Sequence, residues 1–277
     1  MPRPCPPDPA ATHDDGTIAP VRAVLITLSV ALSLTCLSAC GGSPAADVRP
    51  PEAGACRELA PDDVAQPTND TDPVPCSDPH TAETYAVGEL PASFEDAEWD
   101  DPAVGTWAAK TCTAAFKEFL GADVSLVMRS VLSWVWFRPS EKAWEDGARW
   151  YRCDVVGGGE QSRSYVELPT TAEDLLADKP ADEWMVCADG RTVAGAVKVP
   201  CTEPHEWRAV TTISVGGLKD PYPGDKRVEA TTRDFCSKSV GAWLNYPVDY
   251  DYGYTWFPEP AWEAGNRRSV CWAKTEL

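Results

Sequence analysis

Two histidines, His80 and His205, close the segments Cys76-Ser-Asp-Pro-His80 and Cys201-Thr-Glu-Pro-His205. An imidazole can serve as a base, a metal ligand or a pH-sensitive donor. Glu83 follows the first histidine, whereas Arg208 stands at that place after the second. Later in the chain, Trp144-Glu-Asp-Gly-Ala-Arg149 leads to Cys153, and Trp262-Glu-Ala-Gly-Asn-Arg267 leads to Cys271, in a shared W-E-x-G-x-R-x-x-x-C pattern. These residue types suggest a polar contact site for a ligand or partner, made of His80, Glu83, Trp144 and Arg149 in one half and of His205, Trp262 and Arg267 in the other. If Glu83 is essential to it, only the first half carries a working site. The plainer reading makes each histidine a backbone-bonded residue at a strand start. Each arginine then stacks on a tryptophan or bonds a carboxylate.

Catalytic chemistry finds little support in the same residues. The G-x-S-x-G elbow that presents a serine nucleophile for acyl transfer is missing, and pairing of the cysteines leaves no thiol nucleophile. One histidine in each half, with the cysteines oxidised, does not supply converging ligands, so no metal and no cofactor are expected. The 43 acidic residues guarantee accidental carboxylate pairs, so a glycosidase pair cannot be recognised by spacing. No catalytic residue is assigned.

The elements that must hold these residues come from aligning the two halves. Cys112, Phe116, Phe119 and Leu120, like Cys236, Val240, Trp243 and Leu244, follow the i, i+4, i+7, i+8 spacing of one helix face. Leu132, Trp134 and Trp136, and then Tyr252, Tyr254 and Trp256, alternate as a strand with one aromatic side. Such a stripe is either the core of a small sheet or a platform for sugar rings or a peptide. A strand is expected through Glu83–Val87 and Trp207–Val210, and a last one ending near Cys153 or Cys271. Trp144 and Trp262 are placed in loops by Pro139 and Pro260. The fold class is therefore α+β: two tandem small modules, each with one main helix packed on an antiparallel sheet, stabilised by disulfides. The modules run over 56–157 and 181–277, joined by a linker over 158–180. Within that linker Tyr165–Leu168 suits a short strand, and Thr170-x-x-Glu173 suits a helix-capping box.

The cysteines set the compartment. Eight of the eleven fall in two sets of four, at 56, 76, 112 and 153 and at 187, 201, 236 and 271. An even, patterned set reads as a disulfide framework in an exported chain. Two like, closed modules leave three connectivities. The favoured one is Cys56–Cys76, Cys112–Cys153, Cys187–Cys201 and Cys236–Cys271, since it joins neighbouring strands and ties the helix to the last strand.

The N-terminus agrees with export. Arg22 precedes the uncharged run Ala23–Ala39, and Leu37-Ser-Ala-Cys40 is followed by Gly41-Gly42. A basic residue, an apolar core and small residues are the export pattern. The tetrapeptide resembles a bacterial lipobox, which implies cleavage before Cys40 and a lipid on its sulfur. Residues 1–39 are then a lipoprotein signal peptide and 40–55 a Gly-, Pro- and Ala-rich flexible tether. The first twenty residues hold prolines and acids ill suited to a leader, so Val21 is a candidate start. The net charge of −19 disfavours nucleic acid and anionic lipid surfaces as partners.

The C-x-x-P-H segment, the aromatic strand and the W-x-x-G-x-R turn before the fourth cysteine resemble the septum formation-related domain of actinobacterial envelope proteins and lipoproteins. The likeness covers two tandem copies and nearly all of the chain beyond the leader. Cys76-Ser-Asp-Pro-His80-Thr-Ala-Glu83 fits the family's P-H-x-x-E pattern, and Arg208 departs from it. The resemblance implies an envelope location, a link to septum formation and no known catalytic activity. The expected function is a non-enzymatic binding or scaffolding role, lipid-anchored at the outer face of the cytoplasmic membrane, with envelope or division proteins as partners. The alternatives are a receptor for wall glycan or a small ligand, using aromatic platforms, and an envelope hydrolase.

Overall fold

The structure is a computed structural model that describes residues 48–217 and 219–275; Cys40 and the proposed leader lie outside the described residues. The first copy runs β1 (Cys56–Arg57), α1 (Pro61–Val64), β2 (Ala82–Glu89), α2 (Pro102–Phe119), α3 (Val124–Val127), β3 (Ser133–Phe137), α4 (Glu141–Glu145) and β4 (Trp150–Val156). The second runs β5 (Val186–Asp189), β6 (Val197–Pro200), β7 (Trp207–Ser214), α5 (Asp225–Trp243), β8 (Tyr252–Thr255), α6 (Glu259–Glu263) and β9 (Arg268–Lys274). The sheets have strand orders β1-β2-β4-β3 and β6-β5-β7-β9-β8, antiparallel throughout. The second order is the first with one edge strand, β6, added. In the first copy a single bridge between Cys56 and Val74 stands where β6 would be.

The main helices repeat side chain for side chain. α2 buries Val104, Ala108, Cys112 and Phe116, and α5 buries Val228, Thr232, Cys236 and Val240. Spacing of i+4 stacks each set on one helix face, which lies on its sheet. Each helix is bridged to the centre of the last strand by Cys112–Cys153 or Cys236–Cys271, and Cys56–Cys76 and Cys187–Cys201 close the other end. These are the favoured pairs. Each adds about 2–4 kcal/mol, mainly by restricting the unfolded chain. Cys76 and Cys201 lie in turns beyond the strand or bridge, not on strands as expected.

A bulge recurs at matching places. The register of β2 on β4 shifts between Thr84 and Ala86, and that of β7 on β9 between Ala209 and Thr211. The extra residue is Tyr85 in one copy and Val210 in the other. A bulge re-aims the residue it inserts. Tyr85 lies against α2, where its hydroxyl donates to the Cys112 carbonyl at 3.0 Å and its ring stacks on Phe119 at 5.6 Å.

The segment over 158–180 forms neither the expected strand nor the expected helix. Residues 165–168 pair through single bonds, Val166 N–H to the Gly157 carbonyl and Leu168 N–H to the His80 carbonyl, and residues 173–176 are turn. The capping acid comes from outside the segment. Glu83 accepts the N–H of Ala172 at 2.6 Å and the hydroxyl of Thr171 at 3.0 Å. Leu168, Ala172 and Leu176 are buried in one core with Phe116, Leu120 and Val155 of the first copy and Val186, Trp207 and Trp272 of the second. Next to it, Val131 N–H bonds the Trp184 carbonyl and Val186 N–H bonds the Arg129 carbonyl, a short antiparallel seam between the copies.

Candidate functional site

The two motif histidines do the same local work. His80 sits just before β2, 1% exposed, with Nδ1 2.8 Å from the Asp78 carbonyl. His205 sits just before β7, 7% exposed, with Nδ1 2.7 Å from the Glu203 carbonyl. A carbonyl only accepts, so each Nδ1 carries the proton and each ring closes a turn over its own Pro residue. Nε2 of His80 has no hydrogen-bond partner among the described residues. The Glu83 carboxylate, the candidate partner of His80, is spent on Thr171 and Ala172.

The motif arginines lie elsewhere. Glu89 pairs with Trp150 at one end of β2–β4, and Ala82 pairs with Val156 at the other. Arg149 therefore stands beyond the far end of the strand pair from His80, with the whole length of β2, about 23 Å at 3.3 Å per residue, between them. Arg267 and His205 are separated in the same way, by the length of β7–β9. The structure does not assemble His, Glu and Arg into one site in either copy, which corrects that expectation. Arg149 instead lies over the Trp144 ring at 4.2 Å and donates to the carbonyls of Trp144 and Ala148, each at 2.8 Å. Arg267 lies over Trp262 at 3.7 Å and donates to the Trp262 and Asn266 carbonyls. Both tryptophans are on short helices, α4 and α6, not in loops. They are only 5% and 4% exposed and offer no open face. The proline that suggested a loop in the second copy opens α6, where the missing N–H costs nothing.

The aromatic stripes are partly buried. Trp136 packs with Val104 and Trp144, and Tyr252 and Tyr254 pack beside Cys236 and Val240. Trp243 departs from its expected place in the core and is 50% exposed. Its counterpart Phe119 lies on Tyr85, but the bulge residue of the second copy is Val210, too short to reach it.

A cleft that no sequence motif marks opens beside Trp243. It has a volume of about 480 Å³ and is lined by Arg129, Lys179, Met185, His205, Arg208, Ala209, Trp243 and Thr275. Arg208 is ion-paired to Asp182, whose carboxyl it holds below the ordinary range. In sequence Arg208 stands out only as a departure from Glu83. Arg129 belongs to the other copy, and no spacing rule could have brought the two together.

The fold and site define a class: a tandem, disulfide-bridged α+β protein whose repeated motif builds turns and caps. The family model described as Septum formation matches the chain twice, over residues 44–138 and 129–271. The chain belongs to the Septum formation family. No curated protein and no solved structure matches it. The second match begins in the seam that joins the copies and overlaps the end of the first.

Proposed function

We propose that the chain is a lipid-anchored envelope protein, held at the outer face of the cytoplasmic membrane through Cys40, that serves septum formation by binding or scaffolding and catalyses no reaction. Membership of the Septum formation family supports the septal link. The observation that carries the non-enzymatic reading is the use of the motif residues. In both copies the histidine closes a turn, the arginine caps another and the tryptophan is buried. Residues spent on the fold in this way build a presenting surface. The eight paired cysteines suit an oxidising compartment. Among the described residues no helix is long and apolar enough to cross a membrane, and the lipobox-like Leu37-Ser-Ala-Cys40 supplies the anchor in this reading.

The test is membrane fractionation with mass measurement of the N-terminal peptide. The native protein should partition with membranes and begin at an acylated Cys40. Cys40→Ala should leave it unacylated and either released or stalled in processing. An unmodified Cys40 inside an uncleaved native chain would refute the anchor. Crosslinking in intact cells should then capture envelope or division proteins, and turnover of a wall substrate by the purified chain would refute the non-enzymatic role.

A further inference from the structure

The two copies have diverged at one matching site, and the divergence opens it in the second copy alone. In the first copy Thr171 and Ala172 bond Glu83, and Phe119 lies on Tyr85. The second copy has Arg208 and Val210 in the places of Glu83 and Tyr85, and Trp243 in the place of Phe119 is half exposed. There the cleft of about 480 Å³ gathers Arg208 and His205, Arg129 from the turn after the first copy's α3 and Lys179 from the end of the linker.

The cations are positioned by more than charge. Arg129 donates from Nε to the Ser125 carbonyl at 3.2 Å and from Nη1 to the Val210 carbonyl at 3.4 Å, which fixes its fork beside Arg208. Burial lowers its guanidinium below the ordinary arginine value, with Asp123 opposing and Arg208 adding to the effect. The carboxylate paired to Arg208, that of Asp182, is 56% exposed and engages a single Arg208 nitrogen. The hydroxyl of Thr275, which also lines the cleft, has no hydrogen-bond partner among the described residues. Two held guanidiniums, the Lys179 ammonium and an imidazole thus line a cleft that has no carboxylate among its lining residues, in a chain of net charge −19. A concave cationic site in an acidic protein concentrates anions locally, and planar guanidinium forks match the oxygens of carboxylate and phosphate.

We propose that this cleft binds an oxyanion, a carboxylate or phosphate group carried on a molecule whose apolar or ring face lies against Trp243. The anion takes the donors of Arg129 and Arg208 not held by protein carbonyls or by Asp182, and Lys179 closes the rim. Among the described residues the first copy has no equivalent site, because Thr171 and Ala172 of the linker bond Glu83 there. This gives the binding reading above a ligand class and rests on it. The two fail separately, since partner capture in cells can persist when anion binding is absent.

The experiment follows the Trp243 indole and the Arg129 and Arg208 Nε–H signals of the isotope-labelled full chain by NMR, while inorganic phosphate and, separately, acetate are added. Saturable shifts confined to these residues are expected. Arg208→Gln and Lys179→Gln, with all four disulfides and circular dichroism intact, should weaken binding at least about tenfold, roughly the worth of one charge-assisted contact. Arg233→Gln, exposed on α5, should leave it unchanged. Saturation by phosphate alone identifies a phosphate-bearing ligand, and saturation by acetate a carboxylate. Shifts that fail to saturate, spread over the surface, or survive both cleft substitutions would overturn the proposal.

Discussion

Arg57, Thr84, Arg152 and Asp154 form a buried polar cluster in the first sheet, and the matching places in the second sheet hold Ala188, Ala209, Val270 and Trp272. Arg57 donates to Thr84 at 2.8 Å, Thr84 donates to Asp154 at 2.7 Å, and the Arg152 guanidinium lies 3.0 Å from the same carboxylate. Burial pushes the Asp154 carboxyl up against the pull of Arg152 and pulls the Arg152 guanidinium down to about 10. Both directions say that desolvation outweighs the mutual attraction, and the second copy keeps the same sheet with apolar residues. Asp154→Ala should therefore cost about 3–5 kcal/mol by stranding two buried cations, whereas the paired change Arg152→Met with Asp154→Leu should cost less than Asp154→Ala alone. Denaturant unfolding of both variants checks the order. Lys198 gives a pH signature. Its Nζ donates to the Val193 and Ala196 carbonyls and lies 4.8 Å from the Trp272 ring, and burial pulls its pKa down to about 8. Between about pH 8 and the ordinary lysine value near 10.4 the unfolded chain then binds the extra proton, so stability rises with pH across that window. Thermal melts of the native chain and Lys198→Met should diverge there, with the upward slope lost in the variant.

The helices were the most legible elements. Cys112 with Phe116 and Leu120, and Cys236 with Val240, mark a buried face by spacing alone, since an i+4 repeat leaves few other structures open. The two bulges and the added strand β6 were not legible. A bulge is a register shift between strands, and nothing in the sequence of β2 or β7 alone records it. The spacing of Trp243 fits a core position, but burial there depends on the bulge residue it faces, Tyr85 in one copy and Val210 in the other. The glycine of the W-E-x-G-x-R turn was legible in type and can be tested. Gly147 and Gly265 have φ of +97° and +99°, and a Cβ at either would meet nothing within 4 Å. The penalty of Gly147→Ala or Gly265→Ala is thus one of backbone conformation alone, about 1–2 kcal/mol. Calorimetry should show melting temperatures lowered by about 2–4 °C for each kcal/mol, with the disulfides unchanged.

The molecule as a whole departs from the picture of two closed modules on a linker. The repeat and the favoured cysteine pairs were readable because each lies within one copy. The shared core was not, because Leu168, Ala172 and Leu176 sit in a polar stretch whose burial requires both copies at once. One core spanning both sheets and the segment between them implies cooperative unfolding of residues 48–275. A single denaturant transition is expected, reported alike by tryptophan fluorescence and circular dichroism. The same packing explains why the copies differ in what they expose, since the segment that fuses them also covers Glu83 and leaves Arg208 open. Amide hydrogen exchange of Leu168, Ala172 and Leu176 tests this claim most directly. Their N–H groups bond the His80 carbonyl, the Glu83 carboxylate and the Leu120 carbonyl. With one core shared by both copies, they exchange as slowly as the amides of β2 and β4, through global unfolding only. Exchange at the rate of unstructured peptide, with β2 and β4 still protected, would contradict it.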